Sequence, residues 1–140
     1  MSKVDILFLN NKAMEELGCG DMAAVMHDVE RAYTLVEQGD VITPGKLPMR
    51  WGKTAEDENV YGRINAMPGY IGGEYNMAGI KWIGSGPMNY KKGLPRASVT
   101  VILNDPDTQL PVCVADGTEV SAKRSGASGG VAMTLRSKVS

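Results

Sequence analysis

The sequence predicts an α+β fold in which a mixed, largely antiparallel β-sheet carries flanking helices. Two observations lead to this fold class. Residues 21–37 repeat apolar side chains at spacings of three and four, which is typical of an amphipathic helix. Five short runs between residues 46 and 115 are instead bounded by glycine, proline, asparagine and aspartate, which is typical of strands joined by turns.

The first 40 residues predict one strand and two helices. The run Val4-Asp-Ile-Leu-Phe-Leu9 is β-branched and aromatic, and the following Asn10 can cap a helix of one or two turns. Asp21 precedes the longer helix, where its carboxylate can accept hydrogen bonds from free backbone amides. Gly39 is placed to end that helix in the left-handed conformation that glycine adopts without strain.

The middle of the chain predicts a sheet. The runs interpreted as strands are 46–51, 59–67, 77–83, 97–103 and 110–115. The segment Asn104-Asp-Pro-Asp-Thr-Gln109 consists of turn-forming residues, because proline presets one backbone dihedral and Asx side chains bond nearby amides. We therefore expect the last two strands to form a hairpin. The glycine-rich stretch 69–73 is interpreted as a turn.

A last helix is predicted after Asp116-Gly117, with Thr118 as its candidate cap and Glu119 near the positive end of its dipole. Residues 125–130 are unfavourable within it, since each glycine costs about 1 kcal/mol relative to alanine. Close packing against another backbone could offset this cost. Neither 125–130 nor 69–73 fits G-x-G-x-x-G between a strand and a helix, so no phosphate-binding loop is expected in either.

The composition excludes several protein classes. With 140 residues, of which 43% are hydrophobic, and a net charge of −1, the chain has the makeup of one globular domain. Its lysines and arginines form no basic stripe of the kind that binds nucleic acid. No apolar run approaches the roughly 18 residues of a membrane span, and the start has no signal-peptide layout. We therefore expect a cytoplasmic protein with no membrane partner.

No metal site is expected from the sequence. Cys19 and Cys113 are far apart, and His27 has no second ligand at a readable spacing. The thiols are interpreted as small buried hydrophobic groups and His27 as a structural residue.

Three motifs carry a resemblance to a known family. They are Gly79-Ile-Lys-Trp-Ile83, then Lys91-Lys-Gly-Leu-Pro95 before a strand ending in Leu103-Asn-Asp105, and then Asp116-Gly-Thr-Glu-Val-Ser-Ala-Lys-Arg-Ser-Gly-Ala127. In this order and spacing they closely resemble the ornithine cyclodeaminase and mu-crystallin family, from about the first helix to the last residue.

The resemblance implies a domain organisation. Residues 1–116 correspond to the family's substrate-binding and dimerisation domain, and 117–140 to a helix leading toward a dinucleotide-binding Rossmann domain. Family members are about twice this length or more, so we expect the chain to be the amino-terminal half only, with the Rossmann domain absent. The catalytic aspartate of the family lies in that second half. No catalytic residue is therefore assigned in this chain.

The resemblance also implies binding residues. Arg50 and Lys81 match the cations that hold the carboxylate of an α-amino acid, and Met67 matches a residue lining the substrate site. Arg124 matches an arginine that contacts the dinucleotide. Arg96 is also placed near the cofactor, although some relatives have threonine there.

Each assignment has a structural alternative in the sequence. Arg50 could be a solvated strand arginine, and Arg63 on the next strand is a competing candidate for the substrate role. Strand alternation could turn Lys81 to solvent. Arg124 could be a helix-surface arginine paired with Glu119.

Two functions from different classes follow. In the first, the chain is part of an enzyme that converts an amino acid such as ornithine to proline and ammonia, or that oxidises or reduces amino and imino acids, with NAD or NADP. We then expect a small amino-acid substrate and a homodimer, and no cofactor bound by this chain alone. In the second, it is a non-catalytic dimerising or small-ligand-binding module, like the crystallin members of the family.

Overall fold

The computed structural model describes residues 3–54 and 62–137. Its centre is a seven-stranded sheet in the order β1-β7-β6-β5-β4-β2, with β3 pairing with β4 beside β2. The strands are β1 (Leu7–Leu9), β2 (Val41–Ile42), β3 (Leu47–Trp51), β4 (Gly62–Ile71), β5 (Met77–Ser85), β6 (Ala97–Asn104) and β7 (Pro111–Asp116). Only the β1–β7 pair is parallel among the described strands, which confirms the predicted mixed and largely antiparallel α+β fold.

In the part of the chain that the structure describes, three α-helices accompany the sheet: α1 (Asn11–Glu16), α2 (Met22–Glu37) and α3 (Thr118–Ser137), with a short 3-10 helix at Asn89–Lys92. The predicted caps are confirmed for the first two. The Asn10 side chain accepts from the Ala13 amide, and Asp21 accepts from two amides of α2. Gly39 follows α2 at a φ of 77°, the left-handed conformation expected of it.

Two strand boundaries differ from the prediction. The stretch 69–73 is not a turn throughout, because β4 continues to Ile71 and pairs there with Met77. Backbone hydrogen bonds to β5 outweigh the local turn preference of the glycines. The two-residue strand β2 was not predicted, since it is too short for an alternating pattern. Residues 59–61 of the predicted strand 59–67 lie outside the described residues.

A close approach between β5 and β6 explains one glycine of the resembling motif. A Cβ built on Gly79 would collide with the carbonyl oxygen of Ile102 on β6. Gly79 thus allows β5 and β6 to pair continuously from Ala78 to Ser85.

Thr118 is not the cap of α3, as the sequence had suggested, but its first residue. Its hydroxyl accepts from the Val99 amide at 3.1 Å, which ties the helix to β6. The Asp116 carboxylate accepts from the Thr118 amide at 2.8 Å and so performs the capping. The start of α3 is therefore fixed against the sheet from two sides.

The glycine-rich part of α3 is helical, and close packing explains part of it. Ala127 is fully buried, and a Cβ on Gly130 would meet the Met26 side chain of α2 at 3.2 Å. Gly126 and Gly129 have open space around them, so nothing in the packing requires them. The α2–α3 contact thus compensates for only some of the helix propensity lost.

The helices lie on one side of the sheet, and the other side is uncovered within the described chain. Leu35, Val99, Ala115, Ala127 and Val131 form the buried core between the helices and the sheet. On the opposite side, which we call the open face, large apolar side chains are more than a third exposed: Phe8, Ile42, Leu47, Met49, Trp51, Trp82 and Val112. Solitary domains rarely leave so large an apolar face in water.

Within the described residues, no helix is long and apolar enough to cross a bilayer.

Candidate functional site

The centre of the helix-covered face brings two of the predicted substrate residues together. Met67 of β4 and Lys81 of β5 are register partners, and Lys81 also pairs with Val101 of β6. Paired residues of an antiparallel sheet point to the same side. Met67 and Lys81 are therefore direct neighbours on the side where α3 packs.

Lys81 is a half-buried cation with one hydrogen-bond partner. Its Nζ donates to the Ser121 hydroxyl of α3 at 3.4 Å, a long contact. Burial, and then repulsion from the Arg124 guanidinium, hold the pKa of the Lys81 ammonium below its ordinary value. Strand alternation does not turn this side chain to solvent. The alternative in which Lys81 is an ordinary surface lysine is therefore wrong for this structure.

Arg124 lies on α3, one helical turn beyond Ser121, and its side chain is exposed. It forms no ion pair with Glu119 in the described structure, and the Glu119 carboxylate lies instead 3.7 Å from the Lys123 ammonium. Within residues 3–54 and 62–137, neither Lys81 nor Arg124 forms an ion pair with a carboxylate. The Arg124 guanidinium is thus close enough to the Lys81 ammonium to repel it, and the described chain gives neither cation an ion-pair partner.

Arg50 shares the helix-covered face with Lys81 but lies toward the other end of the sheet. It pairs with Arg63, which pairs with Ser85, four residues along β5 from Lys81. At about 3.3 Å per residue and about 4.8 Å per strand, the Cα atoms of Arg50 and Lys81 are roughly 16 Å apart. Arg50 lines a cavity of about 330 Å³ of which Lys81 is not a lining residue.

Arg96 lines the same cavity as Arg50. It precedes β6, and its carbonyl accepts from the Gly86 amide at 2.9 Å, which fixes the backbone there. The structure thus separates the predicted residues into two groups. Lys81, Met67 and Arg124 lie at the middle of the face, and Arg50 and Arg96 lie at its end.

Two residues of this region were not predicted from the sequence. Ser121 accepts a hydrogen bond from the Lys81 ammonium, and Ser85 lines the cavity together with Arg63 and Arg96. Both are small polar residues whose local sequence gives no sign of burial, so only the strand register and the placement of α3 could identify them.

Among the described residues, no group of three or more histidine, cysteine, aspartate or glutamate side chains could hold a metal ion. His27 is exposed and lies 3.7 Å from Asp28. Cys113 is buried as expected, whereas Cys19 is only partly buried.

Comparison with known proteins gives a family match over most of the chain. Residues 6–138 match the model of the ornithine cyclodeaminase/mu-crystallin family. The N-((2S)-2-amino-2-carboxyethyl)-L-glutamate dehydrogenase of Staphylococcus aureus is 36% identical over 124 residues, which are 88% of this chain and 36% of that protein.

Two solved structures are similar to this fold, each with a TM-score of 0.77. An archaeal alanine dehydrogenase dimer with bound NAD is 35% identical and matches 89% of this chain and 35% of its own. The Thermococcus litoralis Δ1-pyrroline-2-carboxylate reductase, in complex with NADH and L-proline, is 32% identical. The match covers 89% of this chain and 36% of the reductase.

The chain spans about a third of the length of these relatives, which act on amino or imino acids and include proteins seen with NAD or NADH. The family match covers nearly all of it, and the three motifs of the sequence fall on β5, on β6 with the segment before it, and on α3. The chain therefore belongs to the ornithine cyclodeaminase/mu-crystallin family.

Proposed function

We propose that this chain is the amino-acid-binding and dimerising part of a nicotinamide-dependent enzyme acting on an amino or imino acid. The observation that carries the proposal is Lys81. A half-buried ammonium with a lowered pKa, beside a second cation and without a carboxylate from the described chain, is costly unless an anion binds it. The carboxylate of an amino acid is such an anion.

The roles of the nearby side chains follow from their positions. Lys81 binds the substrate carboxylate, and Ser121 orients its ammonium by accepting one of its hydrogens. Met67 lies beside Lys81 on the neighbouring strand and offers an apolar wall to the substrate's carbon chain. Arg50 approaches the substrate from the end of the sheet, where its planar guanidinium can donate two parallel hydrogen bonds to a carboxylate.

The donor set also fits a nicotinamide dinucleotide. Arg124 has an exposed guanidinium next to Lys81, and guanidinium groups pair well with phosphate oxygens. We assign Arg124 to the phosphates of the cofactor. Arg96, the other arginine that the resemblance places near the cofactor, lines the separate cavity with Arg50 and is not assigned to the phosphates. When bound, the nicotinamide supplies the hydride chemistry that amino-acid side chains cannot supply. In this proposal α3, within 117–140, leads toward the domain that binds the rest of the dinucleotide, and no residue of this chain is assigned a catalytic role.

We further propose that the open face is covered by a second copy of the chain. A relative of the same fold is a dimer, and the exposed apolar side chains of β3, β5 and β7 lie on one continuous side of the sheet. This part of the proposal also holds for the second candidate function, a dimerising or ligand-binding module without catalysis.

The test of the proposal is an NMR titration of the chain with L-alanine and L-proline. We expect amide shift changes centred on Met67, Lys81, Ser121 and Arg124, because the carboxylate would sit among them. L-Alaninol, which replaces the carboxylate of alanine with an alcohol, is the matched control and is expected to cause no changes there. Shift changes scattered over other surfaces, or equal changes with alaninol, would count against a carboxylate site at Lys81.

A further inference from the structure

A second cationic region lies at the end of the helix-covered face, next to the proposed substrate site. Arg50, Arg63 and Ser85 are register partners across β3, β4 and β5, so their side chains point to the same side as Lys81. All three line the cavity of about 330 Å³, together with Arg96. The two arginines stand directly opposite each other on adjacent strands.

This arrangement of charges is unfavourable by itself. Like charges directly opposite on neighbouring strands destabilise a sheet. Among the described residues, those lining the cavity include four cations, Arg50, Lys53, Arg63 and Arg96, and no aspartate or glutamate. Within residues 3–54 and 62–137, none of these cations forms an ion pair. An anion bound between them would remove the repulsion.

Ser85 gives a second, independent sign of a ligand. The residue is only 8% exposed, and its hydroxyl oxygen has no hydrogen-bond partner in the described structure. A buried hydroxyl without a hydrogen bond destabilises the fold, so such groups are rare outside sites that a ligand or water completes. A carboxylate in the cavity would accept the Ser85 hydrogen and pair with the guanidinium groups at once.

We propose that this cavity binds a second carboxylate of the substrate, and hence that the substrate is an amino acid with an acidic side chain. The inference rests on the proposed function, since it takes the α-carboxylate to be held at Lys81. Ser85 and Lys81 are four residues apart on β5, a Cα separation of roughly 13 Å. In this proposal the substrate lies between the Lys81 ammonium and the guanidinium groups of the cavity, all of which end long side chains.

The proposal also says which substrates the site disfavours. Ornithine carries an amine at the end of its side chain, and this amine would be positively charged among four cations. A hydrophobic side chain would leave the Ser85 hydroxyl and the arginines unpaired. A site built from polar groups discriminates strongly between ligands, because only the wrong ligand leaves those groups buried without hydrogen bonds.

The experiment compares L-2-aminoadipate with L-norleucine, which has the same number of carbons and no second carboxylate. Their dissociation constants for the 140-residue chain are measured by NMR titration at one ionic strength. We expect 2-aminoadipate to bind at least about tenfold more tightly, as charge-assisted hydrogen bonds to one carboxylate imply. Arg63→Gln is expected to abolish this preference, and Ser85→Ala to reduce it several-fold. Arg136→Gln, which removes an exposed arginine at the far end of α3, is expected to keep it.

Equal affinities of the two ligands for the unmodified chain would overturn the inference. If both then still weaken in Lys81→Met, the proposed function stands and only the second carboxylate site fails. If neither depends on Lys81, the proposed function fails as well. Inorganic pyrophosphate is the third probe. Should pyrophosphate bind in an Arg63-dependent manner while 2-aminoadipate shows no preference, the cavity takes the phosphates of the cofactor, and the inference is wrong.

Discussion

Replacing Lys81 with methionine is expected to weaken the binding of L-proline and L-alanine by at least about tenfold. Hydrogen bonds to a charged group contribute about 1.5–3 kcal/mol, which corresponds to that factor or more. Methionine keeps the length and the apolar stem of lysine, so the change removes the ammonium with little loss of packing. Isothermal titration calorimetry of the chain measures the effect.

The folded state should survive this substitution, since the half-buried ammonium of Lys81 is desolvated in the free chain. Lys46→Met is the matched control, because Lys46 is an exposed lysine outside the sheet. It is expected to leave both affinities unchanged. An unaltered affinity in Lys81→Met would contradict the assignment of the carboxylate to this residue.

Replacing Ile80 with glutamate is expected to convert a dimer of the chain into monomers. Ile80 lies on the open face at the centre of β5, between Pro68 and Ile102, and lines an apolar cavity of about 630 Å³. A two-fold dimer across this face would bury two unpaired carboxylates, each at a cost of several kcal/mol. We expect the dissociation constant of the dimer to rise at least about a hundredfold, as measured by sedimentation equilibrium.

Val36→Glu is the control for the dimer experiment. Val36 is an exposed apolar residue of α2, away from the open face, so the same change in charge and polarity there is expected to leave the dimer intact. A chain that is monomeric before any substitution, at concentrations well above micromolar, would contradict the proposed dimer. So would a dimer that Ile80→Glu does not affect.

Local rules in the sequence predict most of this fold. Asn10, Asp21 and Gly39 bound the first two helices because capping depends on one side chain or one dihedral, and both can be read from a single residue. The prediction failed where a tertiary contact decided the structure. Thr118 binds the Val99 amide instead of capping α3, and Gly69 lies within β4 because β5 pairs with it.

The candidate site is harder to predict than the fold, because it depends on register. Sequence resemblance named Lys81 and Met67 separately, and only the pairing of β4 with β5 makes them neighbours. The same register separates Arg50 from Lys81 and aligns Arg50 with Arg63 and Ser85. No sequence motif indicates that alignment. Nothing in the residues around Ser85 marks its hydroxyl as buried and unpaired.

The pKa of Lys81, with and without an amino acid, tests the central claim most directly. The pKa is measured from the NMR chemical shift of the Lys81 Cε as a function of pH, and the signal that disappears in Lys81→Met identifies Lys81. Burial and Arg124 keep this pKa below the ordinary value of lysine in the free chain. A carboxylate bound to the ammonium favours the charged form, so L-proline or L-alanine should raise the pKa of Lys81. The affinity for either amino acid should therefore fall as the pH rises above the pKa that Lys81 has in the free chain. A pKa that stays the same or falls when the site is saturated would show that no carboxylate binds at Lys81.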